Sequence, residues 1–221
     1  MSKLKLAIFD MDGTLIDTEY TMWYHSKKTG FESLGYPYDD EFGDTLCGMN
    51  QTNITKAILN RHPDFPIDEY WKIIKRETSN YIETKEIPVI DGTFEILDYC
   101  KEKGIICCVA TGSPRSMVTL ILTNNKLISY FDYMITGDEV KIGKPAPDIY
   151  LKALAHYGFE KNEAVIFEDA PNGARSAIDS GIPLIYVPNV KIVPEEEKKE
   201  AFRVVNNLKE ALEVLKVIVE D

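Results

Sequence analysis

The sequence predicts an α/β chain: a doubly wound parallel sheet with a small α-helical domain inserted after its first strand. Three observations predict it. Short, mostly apolar runs at 4–8, 105–110, 133–136, 164–167 and 184–187 have the length and continuity of strands buried on both faces. Helical patterns separate them, and three end at a glycine: 93–103 before Gly104, 147–157 before Gly158 and 172–180 before Gly181. Between residues 17 and 86 the strand-like runs cease. Strands alternating with helices pack as a parallel sheet joined by right-handed crossovers, a Rossmann-like core. The expected division is 1–16 and 87–221 for the core and 17–86 for the insert.

In chain order, the first strand, 4–8, runs into Phe9-Asp10-Met11-Asp12-Gly13-Thr14-Leu15. Residues 18–34 carry Tyr20, Trp23, Tyr24 and Phe31 at helical spacing. Thr18 is expected to be the N-cap of that helix. Residues 39–46 predict a weaker helix. Asn50-Gln51-Thr52-Asn53 reads as a helix start before Ile54, Ala57 and Ile58, and 67–81 as a longer helix. The aromatic residues of the insert are expected to form its core. Ile87-Pro88-Val89-Ile90-Asp91-Gly92 returns the chain to the sheet. The helices of the second half are 93–103, 114–124, 147–157, 172–180 and an amphipathic 208–219. The charged run at 194–200 reads as a solvated helical turn.

Composition excludes several classes. Hydrophobic residues make up 44% of the 221, too many for a disordered chain. A net charge of -11 argues against nucleic acid or an anionic membrane as partner. The four cysteines, Cys47, Cys100, Cys107 and Cys108, show no Cys-x-x-Cys spacing and read as small core residues of a reducing compartment. His25, His62 and His156 lack ligand spacing. No signal-peptide pattern or membrane-length apolar run occurs, so a cytoplasmic, soluble protein is expected, a monomer or weak homo-oligomer.

The chemistry-bearing residues fall at strand ends. In open parallel sheets, ligands sit beyond the carboxyl ends of the strands. Asp10 is carried there, with Asp12 two residues on and Gly13 turning the chain away. Two carboxylates so close stay ionised only beside a cation or strong donors; Mg²⁺ with oxygen ligands is the simplest compensation, and a capped turn is the bland alternative. The spacing of the glycine and of the acids is not that of an EF-hand. The strand at 105–110 ends in Thr111-Gly112-Ser113, offering hydroxyls and backbone amides to a phosphate. Lys144 lies in Gly143-Lys144-Pro145-Ala146-Pro147-Asp148. Gly137 and Gly143 are wrongly spaced for a P-loop, and Pro145 replaces its Ser/Thr. The strand at 164–167 ends in Glu168 and Asp169, a second acidic pair.

Asp-x-Asp-Gly-Thr-Leu, Thr111-Gly112-Ser113, Lys144-Pro145-Ala146-Pro147-Asp148 and Glu168-Asp169-Ala170-Pro171-Asn172-Gly173 occur in the order of the four motifs of the haloacid dehalogenase superfamily, in its helical-cap, β-phosphoglucomutase-like branch. The resemblance covers nearly the whole chain. It implies a Mg²⁺-dependent phosphatase of a small phosphorylated metabolite, a sugar phosphate or nucleoside monophosphate. It implies Asp10 as nucleophile and Asp12 as acid/base. Thr111, Gly112, Ser113 and Lys144 would hold the phosphate. Asp10, the Asp12 carbonyl and Asp169 would hold the metal, with Glu168 behind them. The insert would be the cap that closes over the site. The alternatives on the same scaffold are a β-phosphoglucomutase-type isomerase, which would need cationic cap residues for a second phosphate, and a non-enzymatic Mg²⁺-binding module, against which the complete set of motifs argues. Cys47 and Gln51 stand where those cationic residues are expected, leaving Lys27, Lys28 or Lys56 as substitutes.

Overall fold

A computed structural model of the chain describes residues 4–46, 49, 51–189 and 195–220. They form two compact units: 1–16 with 89–221, and Asp17–Pro88.

The first unit is a six-stranded sheet. Its strands are β1 (Leu6–Phe9), β2 (Ile106–Thr111), β3 (Tyr133–Thr136), β4 (Ala164–Glu168), β5 (Leu184–Tyr186) and β6 (Arg203–Val204). They lie in the order β3-β2-β1-β4-β5-β6, and every pairing is parallel. That order reverses direction at β1, as in a doubly wound fold, so β1 is central with β2 and β4 on either side. Phe9 is level with Val109 and with Phe167. This register brings the residues that follow β1, β2 and β4 together at one end of the sheet, the end where such folds bind ligands.

The inner strands β1, β2 and β4 are covered on both faces, which is why they are apolar up to the residues that end them. Leu6, Ile8, Cys108, Ala110 and Ile166 share one core with Ile149, Tyr150 and Ala153 of α7 (Asp148–Tyr157) and Ala174 and Ala177 of α8 (Pro171–Ser180). The alternate residues Ala7, Phe9, Val109 and Phe167 are equally buried. There the Phe9 and Phe167 rings stack at 4.5 Å and 9° directly behind the acidic strand ends. Truncating either ring in so packed a site costs about 3–5 kcal/mol. The other elements of this unit are α5 (Thr93–Lys103), α6 (Arg115–Asn124), α9 (Glu195–Glu200) and α10 (Leu208–Glu220). Gly104, Gly158 and Gly181 close α5, α7 and α8 in the left-handed conformation their sequence positions predict. Cys100, Cys107 and Cys108 are buried free thiols; Cys47 lies outside the described residues.

Most element bounds differ from the sequence reading by one to three residues. The second strand runs one residue later than expected, so Thr111 is its last residue. Strand β6 is not foreseen, because two exposed residues leave no apolar run to read.

The second unit holds a π-helical turn (Glu19–Trp23) that continues into α1 (Tyr24–Ser33), then α2 (Asp40–Thr45), α3 (Gln51–Arg61) and α4 (Ile67–Thr84). Its core gathers Phe31, Ile58, Phe65, Tyr70 and Ile74, with the rings of Phe31 and Phe65 4.9 Å apart. Helix α1 meets α4 at Gly30, where a Cβ would lie 2.7 Å from the Tyr70 ring. Tyr20 is not part of this core and is exposed. Thr18 takes the N-cap position but its side chain makes no capping bond. Its backbone is already helical, and Asp17 accepts from the Tyr20 amide at 3.3 Å instead. Among the described residues no helix is long and apolar enough to cross a membrane.

Candidate active site

The site is built from four loops at the carboxyl ends of β1, β2 and β4 and the start of α7. After β1, the Asp10 amide still donates to the Phe167 carbonyl at 3.0 Å, so Asp10 is fixed by the last rung of the sheet. The chain then turns at Gly13, whose φ of +86° disfavours other residues. Space is a second reason for glycine: a Cβ at Gly13 would lie 2.2 Å from Asp169 Oδ2. Next along, the Thr14 hydroxyl donates to Asp169 Oδ1 at 2.8 Å. Asn189, in the segment after β5, donates its side-chain amide to the Gly13 carbonyl at 3.0 Å.

At the end of β2, the Thr111 and Ser113 hydroxyls both donate to Asp12 Oδ2 at 2.8 Å. The Ser113 amide donates back to the Thr111 hydroxyl at 3.1 Å. Gly112 is exposed, and its carbonyl packs so closely on Gly137 that a Cβ there would lie 2.1 Å away.

Lys144 reaches in from the loop before α7. That loop contains a cis Lys144–Pro145 peptide and is tied to α8 by the Ser176 hydroxyl, which donates to the Ala146 carbonyl at 2.7 Å. The Lys144 ammonium lies 2.5 Å from Asp10 Oδ1 and 2.7 Å from Glu168 Oε2. Its side chain is only 12% exposed. Glu168 Oε2 also accepts the Tyr150 hydroxyl, while Oε1 accepts the Asp169 and Ala170 amides at 3.2 and 3.1 Å.

Burial and charge set the protonation of these groups. Burial pushes the Asp10 carboxyl well above the usual range; Lys144 opposes this, while Glu168 and Asp12 add to it. Burial alone would lower the Lys144 value, but the Asp10 and Glu168 carboxylates outweigh it and hold the ammonium charged. Burial, reinforced by the Glu168 charge, raises the Tyr150 phenol, so it remains a donor.

The structure thus brings Asp10, Lys144, Glu168 and Asp169 into one contact group and Asp12, Thr111 and Ser113 into another. Carboxylate oxygens of Asp10, Glu168 and Asp169 all lie within 4.8 Å of one another, and all three residues are buried. Among the described residues the Lys144 ammonium pairs with two of these three acids, so a divalent cation would balance the remaining charge; an all-oxygen donor set suits Mg²⁺. The fit is uneven. Glu168 already accepts from Lys144, Tyr150 and two amides, which leaves Asp10 and Asp169 as the better carboxylate ligands. The Asp12 carboxylate lies outside this group. Sequence reasoning missed Thr14, Tyr150, Ser176 and Asn189. Tyr150 sits on the apolar face of a helix and reads as core; Asn189 belongs to no motif.

A family model described as haloacid dehalogenase-like hydrolase matches residues 7–187. The phosphorylated carbohydrates phosphatase of Thermotoga maritima is 31% identical over 183 residues, 83% of this chain and 84% of that protein. Hexitol phosphatase B of Escherichia coli (strain K12) is 31% identical over 201 residues, 89% of this chain and 87% of that protein. The structure of CbbY from Rhodobacter sphaeroides in complex with phosphate superposes with a TM-score of 0.78 at 26% identity, covering 94% of this chain and 96% of that one. A match spanning every strand end of the site, with relatives alike over most of their length, means that this chain belongs to the haloacid dehalogenase-like hydrolase family.

Proposed function

We propose that the chain hydrolyses a small phosphorylated metabolite, of the sugar or polyol phosphate type, through a phosphoryl group carried transiently on Asp10. That it is a phosphoric monoester hydrolase follows from its family and from the two phosphatases it resembles. The finer reading rests on one observation: the Lys144 ammonium on Asp10 Oδ1, at the end of the central strand, within the acidic group.

Asp10 attacks phosphorus in line, and the ester oxygen departs from the opposite side. Asp12 exchanges its bonds to Thr111 and Ser113 for the departing oxygen and passes to it the proton that each cycle returns to Asp12 from the attacking water. The two hydroxyls are thereby released to the phosphoryl oxygens. Water then attacks the same phosphorus, Asp12 takes its proton, and the Asp10–phosphorus bond breaks to release phosphate. Lys144 keeps its charge throughout and balances that of the transferring group. Asp10 and Asp169 would hold Mg²⁺, which when bound offsets the repulsion between an anionic nucleophile and an anionic substrate. Substrate selection is assigned to the inserted unit, Asp17–Pro88, because it leaves the chain directly after the first motif.

The test is a panel of sugar, polyol and nucleoside phosphates incubated with the protein and Mg²⁺, reading released phosphate. Release from sugar or polyol esters is expected. Absence of release across the panel would overturn the reading.

A further inference from the structure

Tyr150 is fully buried on the first turn of α7 and makes two contacts with the catalytic group. Its hydroxyl donates to Glu168 Oε2, the same oxygen that accepts the Lys144 ammonium. Its ring lies under that ammonium, 4.9 Å from Nζ to the centroid. Its neighbours Ile149, Ala153 and Leu154 are apolar, so a phenylalanine would fill the same space without a hydroxyl to desolvate.

We propose that Tyr150 is a positioning residue for phosphoryl transfer, which keeps the Lys144 charge directed at Asp10. The inference rests on the role given to Lys144 above. A lysine is a point charge on a flexible stem, and here two carboxylates compete for it. With its charge unshared, Glu168 would draw the ammonium to itself. The Tyr150 hydroxyl and the amides of Asp169 and Ala170 spread the Glu168 charge over three further donors. The ammonium accordingly keeps its contact with Asp10 while it also touches Glu168. The electron-rich ring face closes the third side of the ammonium and favours its charged form.

Tyr150→Phe removes the hydroxyl and keeps the ring; Tyr150→Leu removes both. With p-nitrophenyl phosphate and Mg²⁺, Tyr150→Phe is expected to lower kcat about 10- to 100-fold, the usual effect of removing a residue that orients a reacting group, with KM changed much less. Tyr150→Leu should lose more. A second readout does not depend on turnover: the nitrogen-15 NMR signal of the Lys144 ammonium, assigned by its loss in Lys144→Met. It should shift or vanish through solvent exchange in Tyr150→Phe. A wild-type kcat in Tyr150→Phe, or an unmoved ammonium signal, would overturn the inference. If Tyr150→Leu does not fold, Tyr150→Phe alone decides. If the wild type releases phosphate from no ester, the phosphatase reading falls and the ammonium signal still judges Tyr150.

Discussion

Glu168 lies directly over Gly173: a Cβ on that glycine would stand 2.0 Å from the Glu168 carboxyl carbon. Gly173 is the third residue of α8, where replacing glycine by alanine ordinarily stabilises a helix by about 1 kcal/mol. Here the methyl must displace a carboxylate that holds Lys144, Tyr150 and two amides. Gly173→Ala is therefore expected to lower kcat at least about tenfold and to lower Tm rather than raise it. Thermal unfolding and phosphate release on the same sample check both; a raised Tm with unchanged kcat would contradict the account.

Asp10 is the proposed nucleophile, and asparagine keeps its shape while lacking the charge. Asp10→Asn should abolish turnover and the trapping of phosphate on the protein. The fold should persist, since asparagine fills the same space, its amide oxygen can still accept from the Lys144 ammonium, and Glu168 still balances that charge. Circular dichroism and acid-quenched labelling with radioactive substrate measure the two effects. Substantial turnover in this variant would sink the assignment.

The acidic group at the ends of β1 and β4 predicts a requirement for Mg²⁺. Activity should vanish in chelator and return with Mg²⁺. Ca²⁺, which prefers more ligands at longer distances, should restore it poorly. Full activity in metal-free protein would count against the proposed ligands Asp10 and Asp169.

How much of this was legible in the sequence depends on where each residue sits. Asp10, Thr111, Glu168 and Asp169 end apolar runs, so the pattern that marks a buried strand also marks where chemistry is placed. Lys144 is legible because glycine and prolines flank it. Tyr150 is not, because its spacing in α7 equals that of Ile149, Ala153 and Leu154, and only the third dimension separates a core ring from one under an ammonium. Thr14 and Asn189 act through single hydrogen bonds to Asp169 and Gly13, contacts separated by 155 and 176 positions that no local pattern encodes. Strand β6 escapes for the opposite reason: it buries nothing, so it has no period.

The last expectation is hydrolysis rather than isomerisation. Both outcomes share Asp10, Thr111 and Lys144, so the difference must come from elsewhere. A mutase has to keep a bisphosphate by its second, non-reacting phosphate, and bidentate arginine or clustered lysine suits that task. Of the stretch expected to supply such groups, Cys47, Gly48 and Asn50 lie outside the described residues, and none of the three carries charge. Gln51 begins α3 as an exposed, neutral amide. Among the substitutes, Lys27 is buried and lies 3.5 Å from Glu19, Lys28 lies 5.9 Å from the Tyr24 ring centroid, and Lys56 stands exposed on α3. Lys27 already faces an anion of its own chain, and none of the three offers the bidentate fork of an arginine. The phosphoryl group proposed to form on Asp10 would then be left to water. A sugar monophosphate that the protein accepts should yield free sugar and an equal amount of inorganic phosphate. Enzymatic assay of both products decides it: net conversion of β-glucose 1-phosphate to glucose 6-phosphate, with little phosphate released, would establish the isomerase instead.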